Sequence, residues 1–280
     1  MSEQPYFTFD NVSYLYEDGT AALQNLSFDI PQNKKIAILG ENGSGKSTLF
    51  KLIAGLIKPT SGTISFLGHP FSFTKKELRR LREQVGIIFQ DADYQLFAPT
   101  VKQDVLYGPV NLGWHIEKVH KMVDEAMQLT ELSPLANKPI QCLSGGQKKR
   151  VSIAGVYVME PSVFILDEPT SNLDYYFSKQ LKQYLTKLDG NNRTFLYATH
   201  HTHLIYDWAD YYLVLHKGQL LYAGEREALF ANDSLLQQAH IEKPMLLEFA
   251  SKLKKSHPKW ADLTPSGDID HLIRQMNNNF

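Results

Sequence analysis

GENGSGKS, residues 40 to 47, is the stretch that decides the fold. It fits G-x-x-x-x-G-K-[ST], and its setting matters as much as its letters: a short apolar strand pattern, KKIAILG, runs into it and an apolar helical pattern, STLFKLIAGLI, runs out of it. Strand, glycine-rich loop and helix together predict a phosphate-binding loop, with backbone N–H groups turned toward phosphate oxygens and the positive end of a helix dipole beginning near Lys46. In that reading Gly40, Glu41, Asn42, Gly43, Ser44, Gly45, Lys46, Ser47 and Thr48 form the cradle. Lys46 reaches the β and γ phosphates, and Ser47 offers an oxygen to Mg²⁺.

Such a loop needs a distal carboxylate to complete its metal site. VFILDE supplies one: Asp167 ends a fully apolar strand pattern and Glu168 follows directly. Asp167 is expected to hold Mg²⁺ through its water shell and Glu168 to act as general base on the attacking water, because phosphoryl transfer depends on positioning and charge stabilisation.

Outward from these motifs, YFTFDNVSYLYEDGTAALQNLSFDI alternates apolar and polar residues around Asp18-Gly19, as half-buried antiparallel strands do. Residues 74 to 82 read as a charged helix and QVGIIFQ as a strand. Residues 100 to 142 read as helices broken at Pro109, Pro134 and Pro139. SVFILDEP, RTFLYATH and YYLVLHKGQLLYAG return to strand character with a helical stretch between the first two, which implies a crossover-connected parallel sheet. Beyond Gly224, EREALFANDSLLQQA and KPMLLEFASKLKKS each read as an amphipathic helix, and the final QMNNNF as frayed. The fold class is α/β: a P-loop NTPase with a RecA-like parallel-sheet core, an N-terminal antiparallel β subdomain, an inserted helical subdomain over about 91–154, and a C-terminal helical appendage. The division expected is 1–225 for the nucleotide-binding domain and 226–280 for the extension.

Composition narrows the class. The 280 residues carry 29 Lys and Arg against 30 Asp and Glu with no long basic run, so the chain lacks the footprint of a nucleic-acid binder. Its one cysteine, Cys142, excludes an internal disulfide framework and suits a reducing compartment. The N-terminus lacks the basic flank and apolar core of a signal peptide. The longest apolar stretch, Val151 to Met159, falls short of the roughly 18 residues needed to span a bilayer, so membrane crossing by this chain is not expected.

A third motif, LSGGQ at residues 143 to 147, precedes KKRVSIAG. Ser144, Gly145 and Gly146 open a helix there and offer a second anion cradle. The order of P-loop, LSGGQ and LDEPTSNLD resembles the ATP-binding-cassette ATPases, over about residues 5 to 225. That resemblance implies two cassettes packed head to tail, with Ser144, Gly145, Gly146 and Gln147 of one closing over the γ-phosphate held by the other. It also implies that Ser171 to Asp174 form the D-loop across the interface, that Gln90 touches Mg²⁺ and the attacking water, and that Tyr16 stacks on adenine. The departures are Asn172 in the D-loop and His201 after the switch histidine.

FQDADYQLFAPTVKQDVLYGPVNLG, residues 89 to 113, and the tail after Gly224 resemble the energy-coupling-factor branch, which powers uptake of vitamins or of cobalt and nickel ions. Leu96, Phe97 and Val101 are candidate lining for a groove that takes a partner's amphipathic helix. The function implied is an ATP-hydrolysing, peripheral subunit at the cytoplasmic face of the cell membrane, using ATP and Mg²⁺. Its partners are a second cassette, identical or paralogous, a transmembrane coupling protein and a substrate-capture membrane protein; no nucleic acid and no transported substrate touch it. The alternatives are a conventional importer cassette, against which residues 91 to 113 argue, a soluble cassette ATPase acting on nucleic acid or ribosomes, and a nucleotide-gated scaffold.

Three histidines, His200, His201 and His203 in ATHHTH, resemble a metal site. Thr199 and His200 are expected to close a strand, whose successive side chains point to opposite faces, so the three do not converge. The family resemblance assigns His200 to the γ-phosphate as the switch histidine and leaves His201 and His203 as neighbours.

Overall fold

A computed structural model describes residues 4–171, 175–188, 193–256 and 269–278. Two antiparallel strands, β1 (Phe7–Leu15) and β2 (Ala21–Ile30), meet across the Asp18-Gly19 turn. The central strand β3 (Lys35–Leu39) leads through the loop at 40–45 into helix α1 (Lys46–Ile53). Strands β4 (Ser61–Phe66) and β5 (His69–Pro70) complete a four-stranded sheet in the order β2-β1-β4-β5. Helix α2 (Lys75–Gln84), N-capped by Thr74, precedes β6 (Val85–Ile88).

Next comes the helical insertion, α3 (Val101–Asn111), α4 (Ile116–Leu129) and α5 (Gly145–Tyr157). Strand β7 (Val163–Asp167), helix α6 (Tyr175–Leu188), strand β8 (Thr194–Thr199) and a single turn α7 (Thr202–Ile205) follow. The hairpin β9 (Tyr211–His216) and β10 (Gln219–Glu225) and helices α8 (Arg226–Ala231), α9 (Asp233–Gln238), α10 (Met245–Ser256) and α11 (Ile269–Asn278) end the chain.

The second sheet runs β10-β9-β3-β8-β7-β6, parallel throughout except for the β9–β10 pair at its edge. Parallel strands are stable only with both faces covered. That is why β3, β7 and β8 read as unbroken apolar runs and why β7 and β8 are buried at every position. One face packs on a cluster holding Phe164, Phe195, Tyr197, Trp208 and Tyr212, and the other joins α1 and the four-stranded sheet through Phe7, Phe9, Ile36 and Phe50. The helical insertion has a core of its own, built on Val101, Val105, Val119, Val123 and Val151. Among the described residues no helix is long and apolar enough to cross a membrane.

Four expectations are corrected. Pro109 does not break its helix: it lies inside α3, which ends at Asn111; its fixed φ is helical, and the one bond it cannot donate is to the carbonyl of Val105. EREALFANDSLLQQA is two helices rather than one; Asn232 stops α8 and its side chain caps α9 by accepting from the Leu235 N–H. QMNNNF is not frayed up to Asn278, because α11 carries through it and Leu272 packs against Ala250. Leu96 and Val101 do not line a surface groove, since both are buried in the core of the insertion, whereas Phe97 is 63% exposed and packs edge-on against Tyr107.

Candidate active site

Adjacent parallel strands deliver the site. The P-loop leaves the carboxyl end of β3, Asp167 and Glu168 the end of β7, and His200 the end of β8, and these three strands are neighbours. Ligands of open α/β sheets bind at the carboxyl ends of the strands. Here those ends open on a cleft of about 760 Å³ lined by Tyr16, Asn42, Gly43, Gly45, Lys46, Ser47, Thr48, Gln90, Glu168, Ser171, His200 and His201.

The loop has the shape a phosphate cradle needs. Gly45 has φ +106°, and a Cβ there would lie 2.6 Å from Leu23 Cδ2 and 2.8 Å from the Ala22 carbonyl. Lys46 is buried and donates from Nζ to the carbonyls of Gly40, 2.7 Å, and Glu41, 3.0 Å. Burial lowers its pKa, partly opposed by the charges of Glu168 and Asp167. Ser44 Oγ is buried without a hydrogen-bond partner among the described residues. Gly43, Gly45, Lys46, Ser47 and Thr48 all line the cleft, and a glycine-rich loop at a helix start with a lysine among them fits a polyphosphate.

The two neighbouring acids sit in different surroundings. Asp167 is buried and its pKa is raised, by burial above all, against the lowering effect of a hydrogen bond with Ser47. Its Oδ1 has no hydrogen-bond partner among the described residues. An orphaned carboxylate oxygen beside a serine hydroxyl fits the hard, oxygen-loving shell of Mg²⁺. Glu168 is held from three sides: Ser171 Oγ donates to its Oε2 at 2.9 Å, His200 Nδ1 lies 3.2 Å from its Oε1, and Lys46 Nζ lies 3.6 Å away. Burial pushes its pKa up, but the bonds from Ser171 and His200 and the charge of Lys46 outweigh that, so it stays below the ordinary value, ionised and accepting. Its backbone sits at φ +41°, in the left-handed region, which costs a glutamate about 1–3 kcal/mol and is held by these contacts.

Tyr16 stands at the mouth of the cleft, its hydroxyl 2.9 Å from Thr48 Oγ1 and its ring edge-on to Tyr14. Gln90 lines the cleft from the loop after β6. Glu41 is different: its side chain turns away from the cleft toward His240 in the C-terminal extension. Ser144 N-caps α5 in a capping box with Gln147, and none of Ser144, Gly145, Gly146 and Gln147 lines the cleft. Asn172 to Asp174 of the expected D-loop lie outside the described residues. The rings of His200 and His201 are 3.9 Å apart and those of His201 and His203 5.6 Å. His203 does sit on a helical turn, but His200 is committed to Glu168.

Two contacts went unread in the sequence. Ser171 was assigned only to the D-loop, yet its hydroxyl orients Glu168. Lys149 was not singled out at all: it is buried on α5, its Nζ donates at 2.7 Å to both the Phe89 and Gln90 carbonyls, and burial brings its pKa down to about 8. A signal existed, since a run of cations, Lys148 to Arg150, sits in the first turns of a helix, where the dipole disfavours positive charge.

The sequence pattern of the ABC transporter family matches residues 23–171. The energy-coupling factor transporter ATP-binding protein EcfA of Methanosphaera stadtmanae is 40% identical over 270 residues, which are 95% of this chain and 97% of that protein. Of solved structures, cbiO1 from Clostridium perfringens, part of the ABC transporter complex cbiONQ, is 38% identical and superposes with a TM-score of 0.75 over 92% of this chain and 97% of its own. The ATP-binding cassette MJ0796, in a dimeric post-hydrolysis state bound to ADP and Pi, is 27% identical with a TM-score of 0.71 over 79% of this chain and 98% of its own. The chain belongs to the ABC transporter family, as an ATP-hydrolysing cassette of its energy-coupling-factor branch.

Proposed function

We propose that this chain is the ATPase subunit of an energy-coupling-factor importer and works as one half of a head-to-tail cassette pair, with Mg²⁺ as its metal. The observation that carries the reading is a division of labour. The cleft gathers the P-loop, Glu168, His200 and Gln90, with Asp167 buried behind it and hydrogen-bonded to Ser47, while Ser144 to Gln147, at the start of α5, lies outside it with Ser144 and Gly145 exposed. A second phosphate cradle turned away from the first needs another copy, identical or paralogous, to close on. Two such cradles facing two P-loops make ATP part of the interface.

ATP with Mg²⁺ supplies the electrophilic γ-phosphorus and the charge that must be neutralised in transfer. The chain's residues do the rest. Lys46 gives up its two loop carbonyls for phosphate oxygens. Ser47 and Asp167 would hold the metal, with the Gln90 side chain as a further oxygen donor from the loop after β6. Glu168, ionised and fixed by Ser171, accepts the proton of the attacking water, and His200 steadies both the water and the γ-phosphate. Tyr16 offers its ring to the base.

The membrane side falls to the helical insertion. Tyr94, Phe97, Tyr107 and Val110 are exposed there, beside the loop that carries Gln90. Exposed aromatics at that place suit a helix of a transmembrane partner, which would feel cassette closure through the loop. The protein then works at the cytoplasmic face of the membrane, and cargo, a vitamin or a transition-metal ion, is captured by another membrane component. The test is purification of the chain from detergent-solubilised membranes, followed by reconstitution in vesicles. Integral membrane proteins should come with it and the assembly should couple ATP turnover to uptake; a chain that comes with ribosomes or DNA, or without any membrane protein, would overturn the reading.

A further inference from the structure

Glu41 belongs to the P-loop by sequence, yet its carboxylate turns into a second cluster, outside the nucleotide cleft. There it meets His216, at the end of β9, and His240, just after α9. His240 Nδ1 lies 3.0 Å from Glu41 Oε2, His216 Nδ1 lies 3.3 Å from Glu41 Oε1, and one ligand atom from each residue falls within 4.8 Å of the others. The two imidazole rings are 5.5 Å apart and nearly perpendicular.

We propose that Glu41, His216 and His240 form a binding site for a transition-metal ion of the zinc class, which would fasten the C-terminal extension to the P-loop. Two imidazoles and one carboxylate are a ligand set of the right softness for such an ion, and three protein ligands leave the fourth position to water. The spacing agrees. Ligands at about 2.0–2.2 Å from a tetrahedral ion stand about 3.3 Å from one another, close to the 3.0 and 3.3 Å that separate each imidazole nitrogen from the nearer of the two Glu41 oxygens. Small rotations of the exposed His240 ring bring the third edge in.

A second observation points the same way. His216 is largely buried, its Nδ1 is out of contact with solvent, and although a carboxylate oxygen is 3.3 Å away the nitrogen has no hydrogen-bond partner among the described residues. With the ring proton on Nε2, a buried Nδ1 aimed into a cluster without a hydrogen bond is a lone pair lacking its counterpart. A metal ion supplies that counterpart.

The consequence lies in the connectivity. The Glu41 carbonyl accepts from Lys46 Nζ and from the Ser44 N–H, so fixing its side chain steadies the first turn of the P-loop. His240 belongs to the segment that leads into α10. A metal there joins three parts of the chain far apart in sequence and stabilises the folded state by mass action.

The test uses the full, untagged chain without nucleotide or Mg²⁺, titrated with zinc chloride against a chromophoric chelator, with Tm measured alongside. One zinc per chain and a rise in Tm are expected. Changing an outer-shell residue alone weakens metal sites about 10–100-fold, so losing a ligand in His240→Ala or His216→Ala should weaken binding at least about tenfold. His240→Ala is the decisive variant, because its exposed side chain leaves the zinc-free Tm near that of the parent. His203→Ala should bind zinc as the parent does. Absence of zinc binding, binding unchanged in both His216→Ala and His240→Ala, or loss of binding in His203→Ala would each overturn the proposal.

Discussion

Lys149→Met separates positioning from stability. The lysine's two 2.7 Å bonds hold the Phe89 and Gln90 carbonyls, and with them the loop that brings Gln90 to the cleft. Leaving two carbonyls unpaired costs about 1–3 kcal/mol each. Against that, burial takes the ammonium from 10.5 down to about 8, a penalty of about 3 kcal/mol on its charged form that methionine does not carry. The two nearly offset, so the variant should fold with a stability loss of about 0–3 kcal/mol. Catalysis should suffer more. A shift of about 1 Å in a positioned group can cost about 100-fold, so kcat should fall about 10–100-fold while KM for ATP stays within a few-fold, since Lys46, Ser47 and the P-loop are untouched. Steady-state ATPase assays on the assembled transporter read both constants, and Lys149→Arg, which keeps the charge, should recover part of the kcat.

The same residue has a pH signature. Between about 8 and about 10.5 the unfolded chain keeps this proton and the folded chain has lost it, so its contribution to stability rises with pH across that window. Urea midpoints of parent and variant should therefore diverge in the parent's favour as pH rises from about 8. A variant with parental kcat, or one that raises KM alone, would refute the positioning role; parallel urea midpoints across that window would refute the charged, buried lysine.

Two further substitutions probe the cleft. Lys46→Ala should lose ATP binding by equilibrium dialysis or fluorescence titration, and unchanged affinity would remove this lysine from the phosphate site. Gly45→Ala places a methyl group 2.6 Å from Leu23 Cδ2 at a φ of +106°. It should displace the loop, weaken ATP binding at least about tenfold and cost about 1–3 kcal/mol in stability; a variant that melts and binds like the parent would contradict the geometry described.

The fold was legible where patterns are strong. The loop at 40–47 between an apolar strand and an apolar helix, and the buried runs of β7 and β8, could hardly fold otherwise. What escaped depended on end effects and tertiary contacts. Pro109 reads as a breaker, yet α3 runs two residues beyond it, giving up only the bond that an N–H there would donate to the Val105 carbonyl. Asn232 reads as one more polar residue of a helix, yet its side chain caps the next one. Leu96 and Val101 read like their exposed neighbour Phe97, because periodicity over so short a stretch does not tell core from surface. In the site, Asp167 and His200 announced themselves through neighbouring letters, whereas Lys149 left only an unfavourable run of cations early in α5, which does not say that its partners lie in a loop 60 residues earlier. Glu41 is the reverse case: its motif placed it with the phosphate-binding residues, and its side chain meets two histidines outside the cleft.

The central claim is that Glu168 accepts the proton of the attacking water in a site closed by two cassettes. Its most direct test is Glu168→Gln in the assembled transporter, with ATP binding and ATP turnover measured on the same preparation. The amide keeps the shape and the Ser171 contact but cannot take the proton, so ATP should bind within a few-fold of the parent affinity and hold the cassettes together, while turnover falls by about 100–10,000-fold. Turnover close to the parental rate in that variant would contradict the account.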